Sequence, residues 1–325
     1  MWEDSGSLRE VSTIKGLINF AYDKYKSKNA ISIDKGYIKE INYFNYKFDV
    51  YSLARAINSK IDDKKVAIIS ENRYEFVVTY LANIIIKNTV IIIDDNLSQN
   101  SIAGIIRKYN IKTIFFSDKN KNKILEICKN NIKKKQLNLI NFDSNNKFPI
   151  IEYEKLINIG RYIENYSIEN IPDADGKIKD TTIANLEGTN EYSQQDFIKS
   201  AYIIGKNIKL RKKKEISADI SVNTFYKIVI KIILPLLYGL NIQFIKDEER
   251  EKKNNIEVLE ENKNRIVLEY KNNKYLIENI NINTYVRKIE DSILKKEGIK
   301  ETTNFILIKS SKREKIKQNK KRAMI

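Results

Sequence analysis

Three short apolar runs, Val66–Ile69, Val90–Ile93 and Thr113–Phe116, recur along the first part of the chain with helix-length stretches between them. Each run is too short for a core helix and lacks the polar alternation of a half-exposed strand, so it reads as a strand buried on both faces. Between them, Asn72 to Ile86 is long and apolar, and Ser98 to about Tyr109 is amphipathic, with Ser98 or Asn100 as N-cap. Strand, helix, strand, helix, strand in that order requires a parallel sheet with right-handed crossovers. The first 120 residues are therefore expected to be α/β.

The flanking segments extend this pattern. Ile14 to Tyr25 carries apolar residues at Ile14, Leu17, Ile18, Ala21 and Tyr25, the spacing of one helical face. Asn29–Ile33 and Ile38–Phe44 read as short strands around Asp34-Lys35-Gly36, and Tyr46 to Ile61 as a second helix. Further helices are expected at Lys123–Asn131, Tyr153–Tyr162 and Asp196–Ile208, with a strand at Leu137–Phe142. The most apolar stretch, Phe225 to Ile245, is broken by Lys227 and Lys231. Its longest uncharged piece is Ile232 to Ile245, short of the roughly 20 residues that span a bilayer. A buried core segment is the expectation, with no transmembrane segment.

At 325 residues the chain has room for about two domains. Residues 247–263 are polar and charged and form the expected linker between a first unit, 1–246, and a small C-terminal unit, 264–325. In the latter, strands are expected at Arg265–Leu268, Tyr275–Ile282 and Asn304–Ile308 around a helix at Tyr285–Lys295. The tail from Ser311 to Ile325 holds seven Lys/Arg against one Glu and is expected to be solvated.

The absence of histidine removes Ser-His-Asp and Cys-His nucleophile systems, histidine metal ligands and an imidazole base. The single cysteine, Cys128, excludes an intrachain disulfide and a structural zinc site, and it fits a reducing, cytoplasmic setting. The formal net charge of +17 comes from lysine spread through the chain alongside isoleucine and asparagine. Such a spread fits codon composition better than a polyanion site, so nucleic acid is not the expected partner.

Ile68 to Asp95, with Ser70-Glu71-Asn72-Arg73-Tyr74-Glu75, an apolar helix and Val90-Ile91-Ile92-Ile93-Asp94, resembles the AMP-forming acyl-CoA synthetases, the long-chain fatty acid–CoA ligases among them. That adenylate-forming, AMP-binding family places an "EN-R-x-E" turn, a helix and a strand with an acidic end in this order. Thr113–Phe116 with Ser117 is similar to its next unit. Tyr153–Ile163 followed by Asp180-Thr181-Thr182-Ile183 is similar to the approach to its phosphate loop. The likeness runs colinearly from Ile14 to Phe244. It implies an α/β fold of N-terminal adenylation-type subdomains with parallel and mixed sheets and flanking helices, plus a small α+β C-terminal remnant.

The family's phosphate loop is rich in glycine and hydroxyls and carries a lysine, because close backbone N–H groups and a cation hold a triphosphate. Here the aligned residues are Leu186-Glu187-Gly188-Thr189-Asn190-Glu191-Tyr192-Ser193-Gln194. The resemblance makes Gly188, Thr189, Asn190 and Ser193 a vestigial nucleotide-binding set, while the glycine–lysine half is missing. On the residues alone, Gly188-Thr189 also reads as a plain strand-to-helix turn. Glu187 and Glu191 would face the phosphates, and a like-charge pair near 4 Å costs about 4 kcal/mol at an effective dielectric of 20. The family's magnesium and ribose carboxylate motifs have no counterpart after Phe244. Asn283-Thr284-Tyr285-Val286-Arg287-Lys288-Ile289-Glu290 is similar to the opening of its C-terminal domain.

The family uses ATP, magnesium and CoA as an acid–thiol ligase of fatty acid metabolism. With these losses the expectation is a shortened, degenerate relative, a pseudoenzyme with no catalytic residue, metal or cofactor. It would act as a binding or partner module beside an intact acyl-CoA synthetase or an acyl carrier. Two alternatives stay open. One is a functional ligase completed by a partner chain, and the other is a basic protein that binds nucleic acid or anionic lipid through Lys209–Lys214 and the tail.

Overall fold

The computed structural model describes residues 11–34, 37–131, 137–143, 150–163, 168–186, 188–208, 210, 215–217, 223–244, 257–262, 265–270, 273–280 and 283–288. In chain order the elements begin with α1 (Ile14–Tyr25), β1 (Asn29–Asp34), β2 (Ile38–Asn42) and α2 (Tyr43–Lys60). The α/β units follow: β3 (Lys65–Ile69), α3 (Tyr74–Ile85), β4 (Thr89–Ile93), α4 (Gln99–Tyr109), β5 (Thr113–Phe116), α5 (Asp118–Asn131) and β6 (Asn138–Asn141). Next come β7 (Ile150–Glu152), α6 (Tyr153–Tyr162), β8 (Lys179–Asn185), β9 (Gly188–Ser193) and α7 (Gln194–Asn207). The remainder comprises β10 (Glu215–Ser217), α8 (Phe225–Ile228), a π-helical turn (Val229–Ile233), α9 (Leu234–Tyr238), β11 (Asn241–Phe244) and β12 to β15 (Glu257–Asn262, Arg265–Tyr270, Asn273–Ile280, Asn283–Lys288).

The principal sheet has seven strands in the order β7-β6-β5-β3-β4-β8-β9. All its pairs are parallel except the last, an antiparallel β8–β9 hairpin. Successive residues of its central strands enter different cores. Val66, Ile68, Val90, Ile92 and Phe115 join one apolar cluster, while Ala67, Ile69, Ile91, Ile93, Ile114 and Phe116 join another. Both faces are buried, α2, α3 and α6 on the first and α4 and α5 on the second. That burial is the physical reason these strands carry uninterrupted apolar runs.

A second, mixed sheet has the order β10-β11-β1-β2. Its centre joins the two ends of the first unit, because Ile31 sits opposite Ile242 and Ser32 opposite Gln243 in a parallel pair. Tyr43 reinforces that junction by donating its hydroxyl to the carbonyls of Pro235 and Leu240 at 2.8 and 2.7 Å. Gly239 ends α9 with φ of +65°, and a Cβ there would lie 2.7 Å from the Tyr25 ring. Both the conformation and the ring require glycine at that turn. The apolar stretch from Phe225 is buried core, as expected, and its lysine Lys231 is buried with it. Among the described residues, no helix is long and apolar enough to cross a membrane.

β12 to β15 form an antiparallel meander. Tyr275 is buried and belongs to the main apolar cluster, and β15 runs beside α7. Two local expectations change here. Residues 257–262, counted with the linker, form β12, and Tyr285 to Lys288, expected to open a helix, lie in β15. The strand pairing explains the second change, since β15 is laddered to β14 from Asn283 to Lys288. Residues 289–295, the strand expected at Asn304–Ile308, the basic tail, and Lys209 with residues 211–214 of the basic run lie outside the described residues.

Candidate functional site

The strand order sets where a ligand site can form. From β3 the chain crosses to β4 on one side and then returns past β3 to β5 on the other. At such a reversal the crossover helices diverge to opposite faces and leave a crevice at the carboxyl ends of the strands. The residues leaving β3 and β5 there are Ser70-Glu71-Asn72-Arg73 and Ser117-Asp118-Lys119-Asn120.

These side chains hold one another. Ser117 donates its hydroxyl to Glu71 Oε2 at 2.6 Å. Arg73 donates Nε to Glu75 at 2.7 Å and Nη1 to both oxygens of Asp143, beyond β6, at 3.0 Å. Asp143 also accepts from the backbone N–H of Asp118 at 2.8 Å. On the β4 side, Lys119 donates to Asp95 at 2.7 Å, and Lys123 donates to the Asp95 carbonyl at 2.6 Å. Burial pulls the Arg73 guanidinium down, but its bond to Glu75 and the charges of Glu75 and Asp143 outweigh this and raise it above the usual range. The Asp95 hydrogen bond raises Lys119 despite some desolvation. The rim of the crevice is thus a closed network of carboxylates, amides and cations. Among the described residues, no group of three or more Asp, Glu or Cys is arranged to hold a metal ion.

The β8–β9 hairpin lies next to β4 in this sheet and carries the vestigial set inferred from sequence. Asn185 and Gly188 are paired, so only residues 186 and 187 connect the two strands. Gly188, with φ of +118°, is exposed, and Thr189 and Asn190 follow it along the outermost strand opposite Ala184 and Ile183. Ser193 is at the far end of β9, five residues from Gly188 and so about 17 Å along the strand. There it caps α7, accepting from Asp196 N–H at 3.3 Å while Asp196 accepts from Ser193 N–H at 2.9 Å. The hairpin therefore groups Gly188, Thr189 and Asn190 and sets Ser193 apart. The strand-to-helix turn expected at Gly188-Thr189 is instead a strand-to-strand turn, and the helix starts after Ser193. Glu191 is exposed on β9, and Glu187 lies outside the described residues.

A second network fastens the hairpin tip. Asn185 donates to the Asn223 carbonyl at 3.0 Å, and Asn223 donates to Asp94 Oδ2 at 2.6 Å. Lys227 donates to Asn223 Oδ1 at 3.1 Å, and the Asp94 N–H donates to the Ala184 carbonyl at 2.9 Å. Sequence reasoning did not foresee Asn223 and Lys227 at this place. The available signal was the polar Asn223-Thr224 pair opening the apolar run, where Thr224 caps α8.

At the other end of β8, Asp180 is buried. Gln194 donates to its Oδ2 at 2.6 Å and accepts the backbone N–H of Ile14 at 2.6 Å. Thr181, the next residue, exchanges a hydrogen bond with the Tyr80 hydroxyl at 3.1 Å. Burial pushes the Asp180 carboxyl up to about 6, against the opposing bonds from Gln194, its own backbone and Thr181. These bonds account for the buried polar run Asp180-Thr181-Thr182 within β8.

No protein-family model matches this sequence, and no curated protein does. Solved structures do match it in fold. The N-terminal domain of FACL13 from Mycobacterium tuberculosis matches with a TM-score of 0.59 at 10% identity, over 71% of this chain and 56% of that one. The luciferase-like enzyme of the nonluminescent Zophobas morio mealworm matches with a TM-score of 0.58 at 14% identity, over 74% and 55%. Unliganded O-succinylbenzoate coenzyme A synthetase from Bacillus subtilis matches with a TM-score of 0.53 at 10% identity, over 70% and 43%. This chain therefore spans about half the length of the structures it matches. Its mixed α/β architecture is that of the N-terminal domain of adenylate-forming enzymes.

Proposed function

We propose that this chain is a shortened, degenerate adenylate-forming fold that does not adenylate and serves as a binding or partner module. The observation that carries the reading is the two-residue connection between the paired residues Asn185 and Gly188. A cradle for a triphosphate needs a run of backbone N–H groups free of other bonds and a nearby cation. From Gly188 onward the chain is an extended edge strand whose alternate N–H groups bond to β8, so no run of successive N–H groups converges there, and Asn185, Asn223 and Asp94 are bonded to one another on the side facing β4. Lys227 already donates to Asn223, and the carboxylate of Asp94 beside it would repel an anion. The residues present do not fit ATP with magnesium. Removing one donor to a developing negative charge commonly costs about 3–4 kcal/mol of transition-state stabilisation. Loss of several supports inactivity.

In this reading the vestigial set Gly188, Thr189, Asn190 and Ser193 is structural, and the partner is an intact acyl-CoA synthetase or an acyl carrier in the cytoplasm. ATP–pyrophosphate exchange with a panel of fatty acids tests it, together with calorimetric titration of ATP and magnesium. Neither exchange nor heat of binding is expected. Clear exchange by the chain alone would refute the reading, and exchange appearing only on mixing with an intact relative would replace it with a ligase completed in trans.

A further inference from the structure

The ends of α1 and α2 nearest the second sheet bring together aromatic rings and lysines. Phe44 and Phe48, one turn apart on α2, are each 44% exposed. The Phe44 ring lies 5.9 Å from that of Tyr22 on α1. Lys26 stands over both rings, at 5.5 Å from Tyr22 and 5.9 Å from Phe44, and Lys47 stands 4.4 Å over Tyr22.

The charge on this face is not cancelled. Among the described residues, Lys26 and Lys47 make no ion pair with a carboxylate. Asp49, which follows Phe48, is already held by Arg161 and Tyr74 at 2.8 Å each. Exposed Phe44 and Phe48, with Lys26 over the Phe44 ring and Lys47 over its neighbour Tyr22, match a surface that is apolar just below a layer of negative charge. An anionic lipid bilayer has that profile. A single-stranded nucleic acid fits less well, because base stacking needs a free ring face. Here lysines stand over faces of Tyr22 and Phe44, while the exposed Phe44 and Phe48 side chains are available for insertion at headgroup depth.

We infer that this face of α1 and α2 docks the protein on anionic membrane surfaces, with Phe44 and Phe48 inserted and Lys26 and Lys47 against lipid phosphates. The inference is independent of whether the fold adenylates.

The test uses the full chain with vesicles of phosphatidylcholine alone or mixed with phosphatidylglycerol. In a Trp2→Phe background, Phe48→Trp should shift its emission to the blue on anionic vesicles only, and added salt should reverse the shift. Co-sedimentation of Phe44→Ser/Phe48→Ser, and separately of Lys26→Glu/Lys47→Glu, should show affinity for anionic vesicles about tenfold or more weaker. Circular dichroism and thermal midpoints check that each variant folds, and the tryptophan reporter reads insertion even if one does not. The inference is overturned by an unshifted tryptophan, by equal binding to zwitterionic vesicles, or by unchanged vesicle binding in the folded variants. It is likewise overturned if these substitutions abolish binding to a single-stranded oligonucleotide but not to vesicles.

Discussion

The side-chain amide of Gln194 donates to the buried carboxylate of Asp180 at 2.6 Å, and its oxygen accepts the first N–H of helix α1. One residue thus joins strand β8, helix α7 and the start of α1, and it does so at a carboxylate that burial holds near 6 rather than 3.8.

That shift fixes the sign of a pH effect. Between about pH 4 and 6 the folded chain retains a proton on Asp180 that the unfolded chain has lost, so this group's contribution to stability falls as pH rises through the window. About two pKa units correspond to roughly 3 kcal/mol. Asp180→Asn removes the titration while keeping an acceptor for Gln194. The variant's stability relative to the parent should therefore improve from pH 4 to pH 7, as read by urea unfolding at both values. A difference independent of pH would count against the assignment.

Arg73 links the ends of β3 and β6 through Glu75 and Asp143. Arg73→Met leaves two partly buried carboxylates without their cation and should destabilise the fold by about 2–3 kcal/mol. Denaturant melts of Arg73→Met and of the double variant Arg73→Met/Asp143→Asn decide the matter. The second change should recover part of the loss, and additive losses would show that the two residues are not coupled.

Helices α2 and α6 meet at Gly160, where an added Cβ would stand 1.8 Å from the Ser52 carbonyl oxygen. Backbone cannot yield as a flexible side chain can, so the helices must separate. Gly160→Ala should cost about 3 kcal/mol and lower the thermal midpoint by several degrees. By contrast, Gly104, where a Cβ meets nothing within 4 Å, sits mid-helix in α4. Gly104→Ala should be neutral or stabilising by about 0.5–1 kcal/mol.

Asn223 ties the β8–β9 tip to Asp94. Replacing it with alanine removes a donor from a buried carboxylate and an acceptor from Lys227, at a cost of about 1–3 kcal/mol. The damage should be local. Hydrogen exchange at the amides of residues 184–190 should accelerate while β3 and β5 keep their protection. Uniform acceleration across the sheet would show that Asn223 supports the whole fold rather than the hairpin.

The crevice at β3 and β5 was only half legible. Glu71, Arg73 and Ser117 stand directly after apolar runs, a placement visible in the sequence, and they carried the resemblance to adenylate-forming enzymes. Their mutual bonds, and the capture of Arg73 by Asp143 some 70 positions away, depend on which strands lie side by side. The vestigial set shows the same limit. Adjacency along the chain suggested one cluster, but an extended strand carries Ser193 away from Gly188.

What sequence alone determined is the local content. The apolar runs at 66, 90 and 113 had to be strands buried on both faces, and Ser98 had to start a helix, because side-chain period and cap chemistry act within one or two turns. Only tertiary structure decided that β4 and β5 flank β3, that β1 pairs with β11 across some two hundred residues, and that Asp180 loses its water. Those outcomes follow from which distant surfaces exclude solvent together, a quantity that no single segment carries.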